Sequence, residues 1–149
     1  MSTVVDIERS EAAALAASIL EAHREESVWL DEFSEELERG RAGRALGRIL
    51  NVWGLSQSEA SRLFGVTRQA VSKWLARGVP AERAESIADL SAATDLLVRY
   101  LERERIPAVV RRKTEALDGL SLVDLVRASR EPEVLLACRA MFDFADAQT

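Results

Sequence analysis

Apolar residues recur at intervals of three and four along nearly the whole chain, and no alternating run of strand length interrupts them. From about Ile7 to Arg39 the apolar positions are Ala12, Leu15, Ile19, Ala22, Leu30, Phe33 and Leu37, broken around Glu26, with Glu and Asp on the other faces. Gly40 and Gly43 then suggest a hinge or a helix end. A second helix is expected from about Arg41 to Trp53, with Ala42, Ala45, Leu46, Ile49, Leu50 and Trp53 inward. Gly54 ends it. Ser56 opens a capping box with Glu59, so a two-turn helix should run from Gln57 to Phe64. Gly65 supplies a turn, Thr67 is a good N-cap, and a helix from Arg68 to Arg77 closes at Gly78.

The helical pattern continues from Ala81 to about Arg105, with a break near Ser91. Pro107 opens a short helix to about Leu117, Asp118-Gly119 reads as a turn, and Ser121 with Asp124 resembles a weaker capping box. Pro132 opens the last helix, with Val134, Leu135, Cys138, Met141, Phe142 and Ala145 on one face. The expectation is an all-α chain in three segments: an acidic N-terminal helix (1–40), a middle domain (41–92) and a small C-terminal helical domain (93–149).

Charge divides along the same lines. Met1 to Glu38 holds eleven acidic and two basic residues (−9), Arg39 to Pro80 one acidic and eight basic (+7), and Ala81 to the end thirteen acidic and ten basic (−3). A basic block inside an acidic chain is a partner signal, and the usual partner is nucleic acid. Catalysis finds little supply. His23 and Cys138 are each alone, there is no Gly-rich phosphate loop, and no metal ligands stand at a useful spacing, so neither catalytic residues, nor a metal, nor a cofactor is expected. His23 reads as a surface histidine. The N-terminus has no basic region ahead of an apolar run, and the longest apolar run, AAALAASIL, is far too short to cross a bilayer. A cytoplasmic protein is the expectation, nucleoid-associated when bound to DNA and without membrane contact.

The basic block contains QSEASRLFGVTRQAVSKW, Gln57 to Trp74. Two short helices joined by a Gly-containing turn must cross steeply. That needs a small residue in the first (Ser61), a residue tolerant of positive φ (Gly65), and clamping apolar groups: Leu63, Phe64, Val66, Val71 and Trp74. From Leu46 to about Leu90 the chain resembles the helix-turn-helix of the Cro/CI and Xre repressors. Ser61 stands where that family usually has Ala, and its hydroxyl can bond back to the Gln57 carbonyl. The resemblance implies sequence-specific binding of double-stranded operator DNA. Thr67, Arg68, Gln69, Ser72 and Lys73 are the candidates for base contact, because Arg and Gln bond bidentately to guanine and adenine edges. Arg41, Arg44, Arg48, Gln57 and Arg77 are the candidates for phosphate contact. In the family the residue at Gln57 holds a phosphate beside free backbone N–H groups. Trp53 and Trp74 are expected in the core. A dimer would need half-sites about one helical turn apart, a monomer an asymmetric site, and both stay open.

Ile106 to Met141, IPAVVRRKTEALDGLSLVDLVRASREPEVLLACRAM, is similar to the toxin-binding domain of the Xre/MbcA/ParS antitoxins. Ala116, Leu117, Gly119, Ser121, Asp124 and Leu125 fit that family's N-x-A-L-G-G-x-S-P-L-D-L-L segment, while Asp118 replaces a Gly, Leu120 a polar or basic residue and Leu122 a Pro. The resemblance implies a RES-type toxin, an NAD-consuming enzyme, as partner. The antitoxin itself binds no NAD, blocks the toxin's pocket and represses its own promoter with it. Leu117, Leu120, Leu122, Met141 and Phe142 are the candidate contacts. The alternative is a stand-alone repressor of the temperate-phage immunity type, or a C-terminal module that only dimerises. For the N-terminal helix three roles stay open: a dimerisation surface, a cover for the basic face, or an extension of the core.

Overall fold

The computed structural model describes residues 2–24 and 26–147, and every regular element among them is helical. The elements are α1 (Ser2–Ala22), α2 (Ser27–Trp53), α3 (Gln57–Phe64), α4 (Arg68–Arg77), α5 (Ala84–Tyr100), α6 (Ile106–Arg111), α7 (Leu122–Arg127) and α8 (Glu131–Ala147), with single 3-10 turns at 81–83, 103–105 and 115–117. Among the described residues no helix is long and apolar enough to cross a membrane. The chain divides into two compact units, Met1–Leu37 and Glu38–Thr149.

In the first unit the expected break around Glu26 is a turn at His23 and Arg24. His23 stacks on Trp29 at 3.8 Å between ring centroids, and Trp29 on Phe33 at 5.0 Å. Of the apolar stripe read from the sequence, Ala12, Leu15, Ala22 and Leu37 are exposed while Ile19, Leu30 and Phe33 are half-buried, so the unit covers it only in part.

Three expectations about helix ends give way in the second unit. Gly40 and Gly43 form no hinge, since α2 runs unbroken to Trp53. Gly43 serves a close crossing instead: a Cβ there would lie 2.8 Å from the Trp74 carbonyl oxygen and 3.2 Å from the Gly78 Cα. Nor does α5 break at Ser91, because Ile87, Leu90, Ala93, Thr94 and Leu97 keep one face buried throughout. The helix opened by Pro107 stops at Arg111 rather than Leu117, because Thr114 turns back to pair with Leu120 in an isolated antiparallel bridge.

The core is one cluster. Leu46, Ile49, Leu50, Val52 and Trp53 of α2 meet Ala60, Leu63 and Phe64 of α3, Val71 and Trp74 of α4, and the inward face of α5. Ile106, Val110, Leu122, Leu125, Val126, Val134, Cys138 and Phe142 continue it without a gap. The helices expected as middle and C-terminal segments thus share one interior: α8 lies along α5, and α3 packs on both α4 and α7. Trp53 is fully buried with its indole satisfied, Nε1 donating to Thr94 Oγ1 at 2.9 Å and that hydroxyl donating to the Leu90 carbonyl at 2.7 Å. The side chain of Ala145, expected on the inner face of α8, lies outside the described residues.

Candidate nucleic-acid interface and partner groove

Local chemistry fixes α3 and α4. Ser56 Oγ accepts the Glu59 N–H at 3.1 Å and starts α3. Gly65 ends it at φ 65° and ψ 36°, left-handed backbone that most residues with a Cβ adopt only with strain. Thr67 Oγ1 accepts the Ala70 N–H at 3.0 Å and starts α4. Ser61 bonds back one residue later than expected, to the Ser58 carbonyl at 2.6 Å. Val71 and Trp74 are buried, and Phe64 meets the Trp74 ring edge-on at 6.2 Å. Arg68, Gln69, Ser72, Lys73 and Arg77 are all exposed on α4, as is Gln57 at the first position of α3. Thr67 is exposed too, with its hydroxyl committed to the cap.

Most cations of the basic block carry no ion pair. Among the described residues Arg41, Arg44, Arg62, Arg68, Lys73 and Arg77 have no acidic partner. Beyond the block pairing is mixed: Arg105, Lys113, Arg127 and Arg130 are paired with nearby carboxylates, whereas among the described residues Arg83, Arg112 and Arg139 are not. Arg48 is the exception in the basic block. It bonds Asp95 of α5, so one of its guanidinium nitrogens is already engaged within the chain. Arg41 borders an alanine-lined trough of about 410 Å³ between α2 and α5, formed by Ala42, Ala45, Ala84 and Ala88.

The C-terminal elements build a different surface. Asp118 adopts φ 56°, which explains how it stands where the similar family has Gly: Asp is among the few residues that enter left-handed backbone readily. Ser121 and Asp124 form a full capping box, Asp124 N–H to Ser121 Oγ at 3.1 Å and Ser121 N–H to Asp124 Oδ2 at 2.9 Å. The Ser121 N–H bond leads in holding the Asp124 carboxyl below its ordinary pKa. Desolvation opposes it, while the Ser121 hydroxyl, Lys113 and Arg127 assist. Behind this turn lies a groove of about 370 Å³ lined by Val109, Leu117, Leu122, Ala137, Ala140 and Met141, with Arg112 and Thr114 among its lining.

Of the five candidate partner contacts, Leu117, Leu122 and Met141 come together in that groove, and two readings need correction. Leu122 is only 2% exposed: as the first residue of α7, the position a Pro would favour, it directs its side chain into the core and forms the groove's floor. Phe142 is 8% exposed and stacks on Tyr100 at 4.7 Å, so it is a core residue. Leu120 is half-buried against the core outside the groove. The Cys138 thiol is buried, which pushes its pKa up to about 12 and keeps it protonated and unreactive.

The fold recurs in a solved structure. It is a chain of the crystal structure of the M. tuberculosis MbcT-MbcA toxin-antitoxin complex, matched at a TM-score of 0.55 and 22% identity over 66% of this chain and 91% of that one. No family model and no curated protein matches the chain.

One residue of the site has no signal in the sequence pattern. Arg111 of α6 donates from Nη1 to the Trp53 carbonyl and from Nη2 to the Gly54 carbonyl, both at 2.8 Å, and Nη2 reaches Glu59 Oε2 at 3.2 Å. Partial desolvation acts to raise the Glu59 pKa, but the bonds from Arg111 and Ser56 outweigh it and hold the carboxyl below its ordinary value. The partners lie more than fifty residues from Arg111 in sequence, beyond the reach of any periodicity argument.

Proposed function

We propose that this protein is a non-catalytic regulator that binds double-stranded DNA through the outer face of α4 and neutralises a RES-type toxin through its C-terminal groove, repressing the promoter of the pair. The observation that carries the DNA reading is the set of exposed cations on α4, Arg68, Lys73 and Arg77, without acidic partners among the described residues and with Gln69 beside them. Charged side chains that serve only solubility are readily paired along a helix, as Arg130 and Glu133 are here. An unpaired row is ready to replace the counterions of a phosphate backbone, and release of those ions drives binding. Arg68 and Gln69 sit in the first turn of α4, the end of a recognition helix that meets base edges in the major groove.

The antitoxin half of the reading draws on the fold shared with a chain of a toxin-antitoxin complex and on the apolar groove. Met141 is 44% exposed on its wall, and burying such a side chain on a partner is favourable by about 1–2 kcal/mol. Selection from a random duplex pool with the full chain tests the first half, and recovery of no preferred sequence would contradict it. Co-expression with a RES-type toxin from a neighbouring reading frame tests the second. The native chain should rescue growth and co-purify with the toxin, and Met141→Glu should do neither while still retaining duplex DNA. Rescue that persists in Met141→Glu would rule out the groove as the contact.

A further inference from the structure

The turn between α2 and α3 has an unusual support. Trp53 is the last residue of α2, Gly54 turns the chain at φ 66°, and Ser56 caps α3. The end of a helix leaves carbonyls without intrahelical partners. Here the Trp53 and Gly54 carbonyls are both taken by the guanidinium of Arg111, which also holds the Pro107 carbonyl on its own helix at 2.8 Å. The same group closes on Glu59, three residues into α3. The approach is tight as well, since a Cβ on Gly54 would lie 3.2 Å from the Pro107 ring. A planar fork with several N–H donors can span two successive carbonyls and a carboxylate at once, which an ammonium cannot.

We infer that Arg111, far in sequence from the DNA-binding segment, is a positioning residue for it. By tying the end of α2 to the first turn of α3, it fixes where Gln57 meets the phosphate backbone. Gln57 lies three residues beyond Gly54 and two before Glu59, between the two points that Arg111 holds. This inference rests on the DNA-binding reading. Its guanidinium is spent on carbonyls and a carboxylate within the chain, so it acts through Gln57 and replaces no counterion itself.

The test is a double-mutant cycle on the full chain, with a duplex recovered by selection with the native protein and a random duplex as probes. Arg111→Ala should weaken both by about tenfold, the scale of a lost charge-assisted bond network, because phosphate positioning carries no base information. In a Gln57→Ala background the same change should cost less than about threefold, the non-additivity expected of residues acting as one unit. The salt dependence of binding should keep its slope. Arg111→Lys, measured in parallel, keeps the charge and one carbonyl bond should Arg111→Ala unfold. It should lose affinity by a smaller factor and again show little loss beside Gln57→Ala. Additive losses, or affinity unchanged in both variants, would overturn the inference. A slope that falls by about one would overturn it too, since that marks a direct phosphate contact. If the native chain binds neither duplex, the DNA-binding reading has failed and takes this inference with it. Native binding that ignores Arg111 removes the inference alone.

Discussion

The outer face of α4 and the groove beside α8 belong to one unit and one core, yet they meet solvent with opposite chemistry. The first shows Arg68, Gln69, Ser72, Lys73 and Arg77, all exposed. The second shows Val109, Leu117, Ala137, Ala140 and Met141 over a floor of Leu122. Exposing a polar face costs a monomer almost nothing, so its purpose is visible only in charges that lack partners. Exposing an apolar groove costs roughly 25 cal/mol for each Å² left in water. A groove of that kind is the signal that singles are not, because scattered surface hydrophobics such as Leu136 are normal. One molecule thus presents two surfaces, each legible by a different rule.

The sharpest way to divide the groove is to charge its floor and its wall separately. Leu122→Asp places a carboxylate in a buried site and leaves a void, and should destabilise the fold by at least about 3 kcal/mol in urea denaturation. Met141→Glu, on the wall, should stay within about 0.5 kcal/mol of the native protein. If Leu122→Asp were equally mild, Leu122 would be a surface contact after all.

The α4 face can be moved without altering its charge. Gly43→Ala puts a Cβ against the Trp74 carbonyl and the Gly78 backbone, neither of which can swing aside. It should cost about 1–3 kcal/mol as overpacking, and by shifting α4 should lower preference for a selected duplex more than affinity for a random one. An unchanged preference would mean that the placement of α4 on α2 is not what matters.

Acid acts on the two regions unequally, and by less. The cap of α4 is the Thr67 hydroxyl, which does not titrate in this range, whereas the cap of α7 includes Asp124, whose folded pKa is lowered chiefly by the Ser121 N–H bond. A lowered folded pKa gives stability that is complete above the unfolded value of about 4 and is lost as pH falls through the folded one. Native protein should therefore lose more stability between neutral pH and pH values below about 4 than Asp124→Asn does, read from urea midpoints. Equal losses would exclude the capping box as the source.

Much of this was legible in the sequence where the cause is local. Ser56, Gly65, Thr67 and Gly78 mark the bounds of α3 and α4 to the residue, because caps and left-handed backbone depend on a few neighbouring atoms. Gly40 and Gly43 misled for the opposite reason: whether a glycine breaks a helix or admits a neighbour depends on α4, thirty residues away. Leu122 and Phe142 looked like contact residues because an apolar side chain on an amphipathic helix has the same local pattern whether it faces the core or a partner. Arg111 and the Arg48–Asp95 pair could not be read at all, as both join residues about fifty positions apart.

The central claim is that the exposed side chains of α4 read base sequence. Its most direct measurement is the affinity of Arg68→Ala and Gln69→Ala for a selected duplex and for a random one at the same salt concentration. The account predicts a loss of about 1–3 kcal/mol on the selected duplex, relaxed preference at one base position for each variant, and a much smaller change on the random duplex. Equal losses on both duplexes would contradict it, leaving α4 a phosphate-binding face and moving the source of specificity elsewhere.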